Sequence, residues 1–308
     1  MPTETIDWTA LPPQELAGGA VSIGNFDGVH AGHRELAAVT VRAARAAGGP
    51  AVAVTFDPPP QAVLNPGREK PPLTTVADRA DLLHAAGVNH VAVLRTDPGL
   101  LALSPEAFFE EVILRVFSAR AVVEGYNFHF GRGRAGDNAT LRRLCDQHGV
   151  RFHEVPPLHL GGEPVSSSRV RGLLSAGDVT AAAELLGRSY TVRGVVTTGA
   201  KRGRTIGFPT ANLTGVRTLL PKDGVYAVRA VVNEQMYAAA ANVGPNPTFG
   251  EDARKVEVHL LDFAGDLYGA EVSVEFVRRL RDTRPFAGVN ELVGQLQRDV
   301  AEVRETVM

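Results

Sequence analysis

Ala20-Val21-Ser22-Ile23-Gly24-Asn25-Phe26-Asp27-Gly28-Val29-His30-Ala31-Gly32-His33 decides how the first half of the chain folds. A short apolar run ends on Gly24, and an alanine-rich segment of helical period follows over residues 34–47 until Gly48-Gly49 stops it. The stretch reads as a strand, a glycine-bearing turn and a helix. Outward from it the same alternation repeats. Strands are expected at 51–56, 90–94, 121–123 and 151–155, and helices at 75–86, at 104–117 (opened by Pro105 and Glu106) and at 139–148. A proline-rich loop runs through Pro72. Strands alternating with helices imply an α/β fold, a doubly wound parallel sheet covered on both faces. In such sheets ligands bind beyond the carboxyl ends of the strands, where this turn lies.

From Tyr190 the pattern changes. Alternating segments at 190–196, 224–232, 236–243, 256–261 and 271–276 are separated by Gly, Pro, Asn and Asp, which predicts an antiparallel β-barrel. A helix over 290–307 closes the chain. The boundary falls between Leu185 and Tyr190, giving expected domains of 1–187 and 188–308. Two domains also suit 308 residues, of which 44% are hydrophobic and 21% charged, an ordinary globular balance.

Charge and cysteine content narrow the function classes. Thirty-two Lys and Arg against 34 Asp and Glu leave −2, so no overall basic field marks a nucleic-acid binder, and any nucleotide site is local. The single Cys145 excludes an internal disulfide framework and a cysteine-rich zinc site. The N-terminal residues are acidic with no apolar centre, and no apolar run approaches the ~18 residues of a membrane span. A cytoplasmic protein without membrane or nucleic-acid partners is expected.

The turn carries the strongest chemical signal. Gly28 and Gly32 allow the backbone close to a ligand, and the helix start offers free N–H groups to a phosphate. His30 and His33, three residues apart, can converge on one phosphate, which fits a nucleotidyl-transfer site. The competing readings are two capping or surface histidines, or a metal pair on one helix face; no third ligand pattern accompanies the latter. Gly131-Arg132-Gly133-Arg134-Ala135-Gly136 matches GxGxxG, but Asn127-Phe128-His129-Phe130 separates the strand from its first glycine, so a dinucleotide fingerprint is rejected.

The turn resembles the HxGH signature of the nucleotidyltransferase superfamily. The longer string resembles the N-terminal domain of bacterial bifunctional riboflavin kinase/FAD synthetases. Further stretches agree in order: Thr55-Phe56-Asp57-Pro58, Leu73-Thr74-Thr75, Gly125-Tyr126-Asn127-Phe128-His129-Phe130-Gly131, Ser166-Ser167-Ser168-Arg169-Val170-Arg171, Gly207-Phe208-Pro209-Thr210-Ala211-Asn212, Asn242-Val243-Gly244, Pro247-Thr248-Phe249-Gly250 and Glu257-Val258-His259-Leu260-Leu261-Asp262. The resemblance spans roughly residues 18 to 302. It implies transfer of AMP from ATP to FMN in the N-terminal domain, giving FAD and pyrophosphate, with His30 and His33 stabilising the α-phosphoryl charge. Gly24, Phe26, Gly28 and Asn127 would lie against ATP. Serines at a helix start either cap it or bind phosphate; the resemblance implies phosphate contact for Ser167, Ser168 and Arg171. One departure stands at Pro59, where the family string has a histidine between two prolines.

In the C-terminal half, Lys201-Arg202-Gly203-Arg204 before Gly207 is no Walker A loop. Its glycines and basic side chains, with Thr210 and Asn212 as hard oxygen ligands, can cradle phosphate and Mg2+; a plain β-turn is the alternative. The resemblance implies Mg2+ at Thr210 and Asn212, ATP at Gly203 and Arg204, and Glu257 as general base for phosphorylation of riboflavin by ATP. Periodicity alone makes Glu257 an outward strand residue and His259 structural. Tyr226 and Phe249 border flavin or nucleotide, or pack a core. Two other functions stay open: a riboflavin kinase with an inactive N-terminal scaffold, favoured by Pro59, and a non-catalytic flavin- or nucleotide-binding regulator.

Overall fold

A computed structural model describes residues 3–10, 13–199, 202–246 and 251–307. Residue contacts divide them into two compact units, 1–70 with 74–166, and 71–73 with 167–308.

The first unit is built on six parallel strands: β1 (Thr3–Ile6), β2 (Ala20–Ile23), β3 (Ala51–Asp57), β4 (His90–Arg95), β5 (Ala121–Gly125) and β6 (Arg151–Val155). Their order is β1-β4-β3-β2-β5-β6, so the winding reverses between β2 and β5. Side chains alternate across the sheet with the period of an extended chain. Val21, Ile23, Val52 and Val54 enter one core with Phe109, Ile113 and Leu141, while Ala20, Ala51 and Ala53 enter another with Leu36, Ala37 and Leu83. Helices cover opposite faces: α1 (Ala31–Ala47) supplies Leu36 and Ala37, α3 (Val76–Ala85) Leu83 and α6 (Asn138–His148) Leu141, while Phe109 and Ile113 lie just beyond α5 (Pro105–Phe108); α2 (Pro60–Leu64) and α4 (Pro98–Ala102) are short. Gly48, at φ 72°, caps α1 in the left-handed conformation.

Several details differ from the sequence expectation, among them α2 inside the expected proline-rich loop and the unexpected α4. The helix expected at 104–117 is α5 continued by a π-helical segment, Phe109–Val116, in which the Phe117 N–H reaches the Val112 carbonyl at 3.3 Å. β1 escaped notice because it is a four-residue edge strand with only Ile6 buried, too polar to display an apolar run. A small hairpin, β7 (His159–Leu160) with β8 (Glu163–Pro164), was also missed.

In the second unit, α7 (Ser167–Ala176) and α8 (Val179–Leu186) precede β9 (Tyr190–Thr197), a single helical turn α9 (Arg202–Thr205), β10 (Ala211–Thr214), β11 (Gly224–Val232), β12 (Gln235–Asn246), β13 (Glu251–Leu260), β14 (Glu271–Arg281) and α10 (Val289–Val307). The six strands close into an antiparallel barrel in the order β10-β13-β12-β11-β14-β9. β10 was read from sequence only as a phosphate cradle or turn; four residues between Thr210 and Gly215 are too few to show alternation. Tyr226 is fully buried, edge-on to Phe276 at 5.1 Å, with its hydroxyl donating to the Lys222 carbonyl, so it packs the core. α10 lies on the barrel through Val303, Val300 and Val307 against Ala227, Ala238 and Ala240. Arg281 at the end of β14 holds the buried Asp299 of α10 by a fork of hydrogen bonds, 2.7 Å at the shortest.

Candidate active sites

The reversal between β2 and β5 opens a crevice at the strand ends, because the neighbouring connections depart to opposite faces. Pairing between these strands covers Ala20↔Ala121 and Val21↔Val122. Beyond it, the Ile23 N–H donates instead to Glu124 Oε1 at 2.7 Å. Glu124 is buried, and burial pushes its carboxyl well above the usual carboxylate range, opposed by the bond from Ile23. The two loops leaving the crevice are residues 24–30 after β2 and 126–131 after β5.

The first of these is backbone held in unusual conformations. Phe26, Gly28 and Val29 have φ of 45°, 81° and 39°; for a β-branched residue such as Val29 this is an outlier. Phe26, Asp27, Gly28, Val29 and His30 are all buried. Asp27 Oδ1 accepts from the Thr74 N–H (3.1 Å) and hydroxyl (3.2 Å), and the Thr74 oxygen accepts from Gly28 N–H (3.1 Å). The strained turn delivers His30 as the N-cap of α1, its Nδ1 accepting from the His33 N–H at 3.3 Å. A neutral His30 therefore keeps its proton on Nε2. The His30 and His33 rings stack 3.7 Å apart, and Phe26 stands edge-on to His33 at 5.3 Å. Burial first, then the His30 ring and the Arg79 guanidinium, hold the His33 imidazole well below the usual histidine range. With its imidazole held low, His33 is neutral near neutral pH and presents an N–H donor to an anion at the start of a 17-residue helix.

Asn127, exposed, stands on the facing loop. The GxGxxG segment there is a tight turn and not a helix start. A Cβ on Gly131 would come within 2.7 Å of Pro105, one on Gly136 within 2.7 Å of the Phe130 ring, and α6 begins only after its Asp137 cap. Arg132 and Arg134 are exposed. Pro59 lies just before α2, whose first residue is Pro60. Ser167 and Ser168 open α7 in the second unit, where Arg171 donates to the carbonyls of Ser167 and Pro71, each at 3.4 Å.

In the barrel, register brings polar residues to one outward patch. Asn212 on β10 lies opposite Glu257 on β13 and Thr197 on β9, and Glu257 lies opposite Asn242 on β12. Val256 and Val258 point into the core, which turns the half-buried Glu257 outward as alternation requires. The loop before β10 folds tightly over this patch. A Cβ on Gly199 would fall 2.3 Å from the Asn212 amide, and one on Gly203 would fall 2.2 Å from the Phe208 carbonyl and 3.6 Å from the Thr210 hydroxyl. At Gly203 the obstacle is backbone, so only glycine fits there. His259 Nδ1 meets the Pro209 carbonyl at 2.7 Å, with Phe208 edge-on at 5.5 Å, so it pins this loop. Thr210 and Arg204 are exposed. Thr248, Phe249 and Lys201 lie outside the described residues.

The chain matches known proteins over nearly its whole length. The FAD synthetase family matches residues 13–169, and the riboflavin kinase family matches 186–307. The bifunctional riboflavin kinase/FMN adenylyltransferase of Escherichia coli K12 is 34% identical across 95% of this chain and 93% of its own length. The chain belongs to the bifunctional riboflavin kinase/FMN adenylyltransferase family. The enzyme of the same name from Bacillus subtilis 168 is 35% identical over 95% of this chain and 93% of its own. A crystal structure described as the macrolide-efflux protein of Streptococcus pneumoniae is 34% identical, covers 98% of both chains and superposes with a TM-score of 0.88. That description concerns the streptococcal protein; among the described residues here no helix is long and apolar enough to cross a membrane. As a member of this family the chain is an enzyme with two activities, riboflavin kinase and FMN adenylyltransferase, and its substrates are riboflavin, FMN and ATP. The kinase-only and non-catalytic readings are not favoured.

Sequence reasoning missed several residues around the first site. Arg79, Asp27 and Thr74 form a buried network, and Glu124 stands at the crevice. One signal was available for two of them: Arg79 lies four residues before Leu83 on the apolar side of its helix, and Glu124 interrupts a run of valines. Asn242, opposite Glu257, was visible only as part of the stretch Asn242-Val243-Gly244, with no role assigned to it.

Proposed function

We propose that adenylyl transfer takes place at the β2/β5 crevice and riboflavin phosphorylation at the Asn212–Glu257 patch, with 1–187 and 188–308 as the catalytic domains. In the first reaction a phosphate oxygen of FMN attacks the α-phosphorus of ATP and pyrophosphate leaves. The nucleophile is already ionised, so what is needed is stabilisation of charge on the phosphoryl oxygens. His30 and His33 supply N–H donors, the start of α1 adds its free amides, and Gly24, Phe26 and Gly28 let the nucleotide approach. Asn127, on the facing loop, contacts the ATP phosphates. The observation that carries this reading is the stacked His30–His33 pair on a strained turn at the reversal of the sheet.

In the second reaction the terminal ribityl hydroxyl attacks the γ-phosphorus and ADP leaves, while Glu257 takes the hydroxyl proton. Gly203 and Arg204 border the ATP phosphates. Thr210 and Asn212 present neutral oxygen donors beside a glycine cradle, a donor set that suits Mg2+ carried on ATP phosphates. Bound there, the ion would draw charge from the transferring phosphate. A cytoplasmic location fits the lone Cys145, which is free and buried, its thiol pushed up to about 12 chiefly by burial.

Replacing His33 by Ala tests the assignment. FAD formation from supplied FMN should fall at least 10²-fold, the lower range for a positioned catalytic group, while FMN formation from riboflavin stays intact. Undiminished adenylyl transfer would remove the histidines from the reaction.

A further inference from the structure

Arg79 is 3% exposed, on the inner side of α3, and a guanidinium cannot shed its charge. Burying such a group seldom adds stability over an apolar side chain of similar size, so the reason for its presence lies in what it holds. Its NH1 donates to the Thr55 hydroxyl at 2.9 Å, and that hydroxyl donates to the Asn25 carbonyl at 3.2 Å. Its NH2 lies 3.7 Å from Asp27 Oδ1, the same oxygen that accepts both bonds from Thr74. Thr74 in turn accepts from the Gly28 N–H. Arg79 is therefore bound, through Thr55 and Asp27, to both flanks of Phe26, and the same network reaches Gly28.

These attachments fall on the segment whose backbone is least able to hold its own shape. Positive φ at Phe26, Gly28 and Val29 persists only where the surroundings over-determine it. The turn in turn sets His30 as the cap of α1, and with it the stack on His33. We propose that Arg79 is a positioning residue for adenylyl transfer, fixing residues 25–28 from behind so that His30 and His33 meet the α-phosphate in register. It acts through those residues and touches no substrate. A second effect supports the same role, since the Arg79 charge is one of the influences keeping His33 neutral. The proposal rests on the reading of His33 as a phosphate-contacting residue.

The test uses the full-length enzyme, whose riboflavin kinase activity reports on integrity beside the adenylyl-transfer measurement. Arg79→Lys and the double variant Asp27→Asn/Arg79→Met, which removes both charges together and leaves no buried ion unpaired, are compared with His33→Ala. Steady-state FAD formation from FMN and ATP is measured across pH 5.5–9, with KM for each substrate. The double variant should lose on the order of 10²-fold in kcat, the usual consequence of displacing reacting groups by about an ångström, with KM for ATP changed less than about threefold. Arg79→Lys should recover part of that loss, because a cation still reaches Asp27 without the guanidinium fork. Riboflavin phosphorylation should be unchanged in all. A folded double variant with wild-type kcat throughout the pH range overturns the proposal. So does a loss divided equally between kcat and KM, or loss of the cooperative unfolding transition, either of which makes Arg79 a structural strut. If His33→Ala itself forms FAD normally, the reading of the histidines fails instead.

Discussion

Glu257→Gln separates a general base from a solvated strand residue more cleanly than any other single change. Gln has the same shape, and the position is half-buried with Asn212 and Asn242 as cross-strand neighbours. An amide of the same shape fits among these amides, so the barrel should keep its fold. If Glu257 takes the ribityl proton, kinase turnover should fall about 10²- to 10⁴-fold, or roughly 2.7–5.4 kcal/mol in the barrier at 1.36 kcal/mol per decade. Riboflavin and ATP should bind nearly as before, because the interaction removed matters mainly in the transition state. The assay is single-turnover FMN formation from riboflavin and ATP, with FAD formation from supplied FMN measured on the same preparation. A kinase rate within a few-fold of wild type would refute the reasoning. An equal loss of both activities would mean that the substitution acts on folding, and a thermal melt would reveal it.

Three further outcomes follow from the packing. Asp299→Ala leaves the Arg281 guanidinium, itself mostly buried, without its carboxylate; it should cost about 3 kcal/mol, the lower end for breaking a buried pair, read as loss of stability in denaturant unfolding of the kinase unit. Val179, Ala182, Leu185 and Leu186 of α8 are buried, and α8 packs on β9 and β14, so a fragment 167–308 should melt well above a fragment 188–308; equal melting would place the folding boundary at 187. Glu124 carries a proton that the unfolded chain releases, so its contribution to stability is full below the ordinary carboxylate pKa and is lost as pH rises through its raised folded value. Glu124→Gln should therefore gain stability over wild type toward alkaline pH and lose that advantage near pH 4, and a difference that does not vary with pH would contradict the assignment.

The first site was largely legible because its chemistry is contiguous. A strand end, a glycine turn and a helix cap fall within residues 20–33, and local rules for each apply directly. What holds that turn in place was not legible. Asp27, Thr55, Thr74 and Arg79 are joined across sequence separations of 24 residues or more by hydrogen bonds and an ion pair, and no periodicity announces such a partnership. The π-helical continuation of α5 keeps Phe109, Val112, Ile113 and Val116 buried at ordinary helical spacing, so the apolar pattern read the same either way.

The barrel site posed the opposite difficulty. Glu257 alone looked like a solvent-facing residue, and alternation was right about its direction: it does face away from the core. Facing outward is equivalent to facing solvent only if nothing covers that surface. Here Asn212 sits beside Glu257 by strand register, and Gly199 lies against the Asn212 side chain, where a Cβ would fall 2.3 Å from its amide nitrogen. Register depends on how β10 and β13 pair across more than forty residues, which a single strand's pattern does not contain. A polar residue on the outer face of a barrel strand becomes a candidate for chemistry once a glycine-rich loop is found packed on its neighbour. Gly199 is visible in the sequence, but the strand it lies against is visible only in the fold.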